Sequence, residues 1–323
     1  MTEEVIPQNE YEDLWTKLPS SLPISPVVTP IKSLAKVPSA SSLYLKVLKP
    51  RTSLKRDAHV PHIAVSTQLT VPSSWLDQYI HICGWSDHTG QTSVPITAPQ
   101  VLAAPLHMYL LTHADFPASA LGIVHAANQM IASRPLDLNT PLQITTWTGD
   151  TRWKARGFEV DLHTAISQDQ HAPSWLGKTT VFRSVKSQHL NQPRSDVKDH
   201  LINGQEYTLK LAANLGRLYA PIAGDYNPIH LYPFTAKLFG FKRPIIHGMW
   251  TLAHLLSKSC PDLQQTVTGR LVVTFRRPLP LPLITSAYRM QESQGHLIQA
   301  YDHRGKLAID IAYTHHLDVN PPV

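Results

Sequence analysis

Cysteine is close to absent from this chain, with Cys83 and Cys260 the only two among 323 residues. Two isolated thiols cannot frame a disulfide scaffold, and the apolar helical context of each predicts a buried structural thiol. Also missing is any run approaching the roughly 18 uninterrupted apolar residues of a membrane helix. The opening MTEEVIPQNEYEDLW is acidic and lacks the apolar centre of a signal peptide. The closing DVNPPV carries no peroxisomal or lipidation signal. Together these absences lead us to expect a cytoplasmic protein. Charge of one sign is in modest excess, 29 Lys+Arg against 23 Asp+Glu. The dense basic groups are short (Lys49–Arg51, Lys55–Arg56, Lys242–Arg243 and Arg276–Arg277), and no basic stripe is interleaved with aromatics. That pattern excludes nucleic acid as the expected partner. The excess favours some other polyanion, or serves solubility alone.

What is present is a long-period repeat. Residues 1–45 are rich in Pro and Ser and show no sustained period, which predicts an extension outside the repeated body. From Ser74 to Gly84, apolar residues at 76, 79, 80 and 83 follow the spacing of one helix face. Ser73 or Ser74 is placed to cap its start, and Gly84 to supply a left-handed stop. Adding 140 gives Asn214 to Gly224, with Asn214 as cap and Gly224 as stop; Tyr79 falls on Tyr219, and His107 on His247. Further on the offset becomes 143, where Arg134-Pro135-Leu136 matches Arg277-Pro278-Leu279. Gly177-Lys178 and Gly305-Lys306 each precede an alternating run. Such self-similarity means a duplicated domain. The expected division is an extension over 1–45, one unit over 46–190, a polar linker over 191–205 and a second unit over 206–323.

In each unit a short helix and an irregular loop precede a longer apolar helix and several strands. The helix opening at His247 is apolar nearly all round, which predicts burial. Strands are expected over Gly269–Phe275 and about Ile284–Met290, Leu297–Tyr301 and Leu307–Tyr313. In the first unit Phe158, Val160 and Leu162 alternate with Glu159, Asp161 and His163, the pattern of a half-buried strand. A buried helix followed by an antiparallel meander is α+β.

The second unit's loop carries the chemistry. Gly224-Asp225-Tyr226-Asn227-Pro228-Ile229-His230 sets a carboxylate and an imidazole five residues apart on a segment stiffened by Pro228, with Asn227 as a hydrogen-bonding spacer. Acid/base groups on a loop held by a rigid scaffold are a common catalytic arrangement. Downstream, Pro244-Ile245-Ile246-His247-Gly248-Met249 opens the apolar helix. Its free N–H groups form a ready oxyanion site, and Gly248 would let a carbonyl approach. Under the 140 offset Asp225, Asn227, Pro228, His230 and Gly248 become Trp85, Asp87, His88, Gly90 and Met108, so the first unit lacks the set.

These two blocks resemble the hydratase 2 motif of MaoC-like (R)-specific enoyl-CoA hydratases and 3-hydroxyacyl-thioester dehydratases. Ala223 departs slightly, standing where members more often carry Ser, Gly, Thr or Cys. The resemblance implies a double hotdog, two tandem units each wrapping an antiparallel sheet around a central helix. It further implies that Asp225 and His230 share a water, that the Gly248 amide polarises a thioester carbonyl, and that Asn227 orients the loop or the water. No metal and no redox cofactor is implied. The substrate would be an acyl-CoA or acyl-carrier-protein thioester, whose acidic groups suit the basic excess. Tyr226, His247 and Met249 would border it, with His247 a structural group at the helix start. Lys242, Arg243 and Arg276 are the candidates for CoA phosphates, while Trp85 and Met108 would shape an acyl tunnel through the degenerate unit. The chain is expected to be a monomer or homodimer. His59/His62 and His315/His316 lack further ligands at metal spacing. The alternatives are a hotdog thioesterase, which would not need His230, and a non-catalytic thioester-binding protein, which would need the second unit degenerate too.

Overall fold

The computed structural model describes residues 21–23, 25–26, 31–47, 58–85, 94–137, 139–154, 157–168, 172–185, 204–260, 268–293 and 295–315. The expected linker core, the basic groups Lys49–Arg51 and Lys55–Arg56, and the positions Asp87, His88, Gly90 and His316 lie outside them.

In the first unit, strand β2 (Ala64–Leu69) leads to helix α2 (Ser73–Cys83) and helix α3 (Ala98–Leu111). Strands β3 (Ile123–Ala132), β4 (Leu142–Lys154), β5 (Gly157–Ser167) and β6 (Trp175–Ser184) follow. The second unit repeats this order. Strand β7 (Gln205–Leu211) precedes helix α4 (Leu215–Ala223), a 3-10 turn (Pro228–His230), the short helix α5 (Pro233–Leu238) and helix α6 (Gly248–Ser259). Strands β8 (Gly269–Phe275), β9 (Leu283–Glu292), β10 (Gly295–Tyr301) and β11 (Leu307–Thr314) close it. The sheet order is β2-β4-β5-β6-β3 in the first unit and β8-β11-β10-β9-β7 in the second, so one reads as the other reversed. The units join through antiparallel β3 and β8, where Met130 faces Leu271, both fully buried. This is the α+β double hotdog, one open 11-stranded sheet wrapped around helices.

The apolar run behind Gly248 forms helix α6 as expected. Leu252, Leu255 and Leu256 are fully buried, each worth about 1.5–3 kcal/mol relative to exposure. Its polar residues serve the neighbouring helix: His254 Nδ1 and the Ser257 hydroxyl both bond the Cys83 carbonyl at the end of α2. Gly84 and Gly224 cap α2 and α4 in left-handed conformation, at φ 78° and 64°. Cys83 and Cys260 are both buried, and no disulfide joins them. No helix among the described residues is long and apolar enough to cross a membrane.

Several expectations are corrected. Helix α2 begins at Ser73 behind Pro72, and neither that start nor Asn214 at α4 makes a side-chain capping bond. Strand β5 is buried on both faces, because Arg152, Trp147 and Thr180 of adjoining strands cover the second one. Arg152 grips Asp161 through two 2.7 Å bonds, and Trp147 stacks on His163 at 5.5 Å. Gly177 sits within β6 opposite Thr164, whereas Gly305 lies in the turn before β11, so those two glycines are not equivalent.

The 140 offset also breaks inside the loop. Fourteen positions separate Gly84 from the start of α3 at Ala98, but twenty-four separate Gly224 from the start of α6 at Gly248. The first-unit counterparts of His247 and Gly248 are therefore Thr97 and Ala98, not His107 and Met108. The conserved geometry of the tyrosines agrees: the Tyr79 hydroxyl bonds Thr97 at 2.7 Å, and the Tyr219 ring meets His247 edge-on at 5.1 Å.

Ahead of the first unit, the segment without periodicity forms a short strand and a helix. Strand β1 (Lys32–Leu34) pairs parallel with β2, and helix α1 (Ala40–Val47) buries Leu43 and Val47. Lys46 of α1 lies 5.3 Å from the Tyr109 ring centre on α3, a cation–π contact. The boundary expected at 45/46 falls inside α1.

Candidate active site

The second unit's loop is built by its own polar groups. The Asn227 amide donates to Asp225 Oδ1 at 3.1 Å, and Asn227 Oδ1 accepts from the Ile229 amide at the head of the 3-10 turn. This Asx geometry accounts for an Asn two residues beyond the Asp. Thr235 ties α5 to the Pro228 carbonyl at 2.7 Å. Gly216 of α4 is a position that the spacing did not single out. A Cβ there would meet the His230 carbonyl at 2.2 Å, so glycine lets the helix close onto the turn that carries the imidazole.

His230 and Asp225 are brought together. His230 Nδ1 lies 2.8 Å from the Ile245 carbonyl, which makes it the protonated nitrogen and leaves the Nε2 lone pair free. That Nε2 stands 3.9 Å from Asp225 Oδ2. The separation is too long for a direct bond and suits one bridging water. His247, the residue before α6, stacks on His230 with ring centres 3.8 Å apart and donates from Nε2 to the Asp225 backbone carbonyl at 3.0 Å. It thus bonds the loop facing the helix start, as a structural histidine would.

Burial opposes the Asp225 charge. The adjacent His247 and His230 rings and the donors Tyr44 O–H and Asn227 N–H outweigh it, so the carboxyl lies below its ordinary range. The Asp225 side chain keeps 38 % exposure, against 10 % for His230. Burial pushes His230 below the usual imidazole range against the pull of Asp225, and pushes His247 down to about 3. At neutral pH the site holds one anion and two neutral rings.

Asp225, His230 and His247 bring possible ligand atoms within 4.8 Å of one another. His247 Nε2 spends its proton on the Asp225 carbonyl, so that nitrogen has no lone pair for a cation. The two remaining donors suit a shared water better than a metal.

The pair opens on a cavity of about 390 Å³ whose lining comes from both units, including Val101, Met108 and Val181 of the first and Ile229, Met249 and Phe275 of the second. Gly248 is the first residue of α6 and also lines it. The absent side chain has a packing reason besides access: a Cβ would meet the Phe275 ring at 2.8 Å.

The other predicted residues divide. Asn227, His247, Met249 and Met108 line the cavity, whereas Trp85 does not. Its side chain is buried in the core, which corrects its assignment to a tunnel wall. Tyr226 is exposed and packs edge-on to Tyr44. Lys242 and Arg243 are exposed, Arg243 bonding the Pro282 carbonyl. Arg276 lines the cavity but is paired with the buried Asp310 at 2.9 Å. Sequence reasoning missed Tyr44, which also lines the cavity and donates to Asp225 Oδ1 at 2.7 Å from 181 positions away. Nothing in the local pattern around it signals that contact.

Known proteins share this architecture and this loop. The family described as MaoC like domain matches residues 199–282. The 3-hydroxyacyl-thioester dehydratase X of Mycobacterium tuberculosis is 32% identical over 196 residues, which cover 60% of this chain and 69% of that protein. A peroxisomal enoyl-CoA hydratase 2 of Arabidopsis thaliana is 42% identical over 60 residues, 16% of this chain and 19% of the relative. Among solved structures, HtdX of M. tuberculosis superposes with a TM-score of 0.63 at 27% identity, covering 76% of this chain and 97% of its own. A MaoC-like dehydratase from Phytophthora capsici, at 20% identity and a TM-score of 0.64, covers 83% of this chain and 99% of its own and shares the fold. The chain belongs to the MaoC-like dehydratase family.

Proposed function

We infer that this chain is a hydro-lyase of fatty-acyl metabolism, adding water across the trans-2 double bond of an enoyl thioester and removing it from the 3-hydroxyacyl thioester. The observation that carries the reading is the 3.9 Å gap between Asp225 Oδ2 and His230 Nε2 on the wall of a largely apolar cavity, beside the start of α6. A water donating to both acceptors turns its lone pair toward C3. As the C3–O bond forms, one water proton passes to this pair, which returns it to C2 so that the site ends in its starting charge state; dehydration runs the same steps backward. In this account Gly248 N–H, one of the unpaired amides at the helix start, receives the charge that grows on the thioester oxygen. Asn227 fixes the loop, and His247 and Met249 border the reacting end. The product is assigned (R) configuration.

The remaining assignments belong to the same proposal. The hotdog units run from β2 to β6 and from β7 to β11, their starts displaced from the expected 46 and 206 because α1 ends at Val47 and β7 already begins at Gln205, and only the second is catalytic. The acyl chain runs toward the first unit past Met108. Lys242, Arg243 and the outer face of Arg276 take the phosphates of CoA or of an acyl-carrier protein, in the cytoplasm.

Crotonyl-CoA tests the reaction through loss of its conjugated enoyl absorbance. Turnover supports a hydratase; release of free thiol instead means a thioesterase, and no change at any chain length means a binding protein. Asp225→Asn and His230→Gln are each expected to lower the rate by at least about a hundredfold, the usual worth of positioned acid/base groups.

The pH profile has a definite sign. His230 acts neutral, and its depressed pKa keeps it neutral below the ordinary value near 6.5. Asp225, also depressed, stays charged there. The kcat/KM of the wild type should therefore hold level as pH falls through about 6.5 and drop only below it. A limb centred at or above that pH would contradict the assignment.

Met108→Phe should reduce kcat/KM for long enoyl chains more than for crotonyl-CoA. An unchanged chain-length preference would remove the first unit from acyl binding.

A further inference from the structure

We propose that Tyr44, on the helix preceding the first hotdog unit, is a positioning residue for the acid/base pair, its hydroxyl holding Asp225 Oδ1 so that Oδ2 faces His230. The inference rests on the hydratase reading and adds a group from outside the loop that carries the motif. Asp225 Oδ1 accepts two hydrogen bonds, from Tyr44 O–H at 2.7 Å and from the Asn227 amide at 3.1 Å. Oδ2 stands 3.9 Å from His230 Nε2 and from His247 Nε2. One oxygen is thus anchored and the other faces the imidazoles. The backbone amide alone would leave the carboxylate freer to turn about its Cβ–Cγ bond, bringing either oxygen toward the rings.

The donor is itself held in place. The Tyr44 ring meets Tyr226 edge-on at 6.5 Å. Leu43 and Val47 are buried on either side of it in sequence, Lys46 caps the Tyr109 ring, and just before the helix β1 pairs with β2 as the outermost strand of the sheet. Burial and the Asp225 charge raise the phenol's pKa far above its ordinary value, so it stays a donor at every working pH. The titratable groups that bear on Asp225, besides Tyr44, are His230, His247, His125 and the Tyr219 phenol, which burial holds far above its ordinary value. Burial keeps all three imidazoles below the usual range, to about 4 for His125.

Tyr44→Phe removes the hydroxyl and keeps the ring. A hydrogen bond to a charged group contributes about 1.5–3 kcal/mol, or roughly one to two pH units. The expected result is a kcat for crotonyl-CoA lowered about tenfold or more, a KM within about twofold, and an acid limb of kcat moved upward by about one unit. A merely structural role would leave that limb in place. A kcat and acid limb equal to wild type overturn the proposal. Should the wild type not hydrate any enoyl thioester, the activity is at fault and not Tyr44. The Asp225 carboxyl titration, followed by NMR in the substrate-free protein, then decides: upward movement in Tyr44→Phe supports the contact, and no movement overturns it. If Tyr44→Phe does not fold, Leu43→Ala loosens the same helix without reaching the cavity. It should move the titration in the same direction, and an unmoved titration again overturns the proposal.

Discussion

The bond from His230 Nδ1 to the Ile245 carbonyl decides what the site can do. It fixes the ring orientation and selects the tautomer, so that a lone pair rather than a proton meets Asp225. Without it Nε2 could carry the proton and bond the carboxylate directly, closing the space a water needs. The main-chain carbonyl that makes the bond lies in the segment leading to Gly248, whose neighbour Ile246 is tied to Leu279. One short stretch of backbone thereby sets the imidazole on one side and the helix start on the other. The 3.9 Å gap and the amides for a substrate oxygen are consequences of the same constraint.

Duplication explains why the arrangement exists once. Both units keep the same strand order, the left-handed glycine after the short helix and the tyrosine on that helix. Between that glycine and the central helix the first unit is ten positions shorter, and Trp85 follows Gly84 where Asp225 follows Gly224. The shortened connection starts α3 at Thr97-Ala98. The first unit instead contributes walls, with Val101, Met108 and Val181 on the cavity. These apolar side chains offer surface to an acyl chain.

Much of this was legible from residue order. Periodicity located helix α6 and strands β8 to β11 closely, because a buried central helix and a meander each impose a short-range pattern. The Asp225–His230 pair and Gly248 were legible because one loop and one helix start carry them within 24 residues. A constant offset, in contrast, hid the shortened first-unit loop and paired His107 with His247 wrongly, since sequence similarity alone cannot place a gap within a diverged loop. Alternation in β5 read as one wet face, but side chains from β4 and β6 cover Asp161 and His163. Tyr44 lay beyond reach for a related reason. Its contact with Asp225 depends on how an aperiodic segment crosses the finished fold, and no local spacing records such a path.

A structure of the His230→Gln variant with crotonyl-CoA bound would test the account most directly. It predicts the thioester oxygen within hydrogen-bonding distance of the Gly248 amide and C3 turned toward Asp225 Oδ2, with the acyl end pointing to Met108. A thioester bound with its double bond facing away from Asp225, or lying outside the cavity, would contradict it.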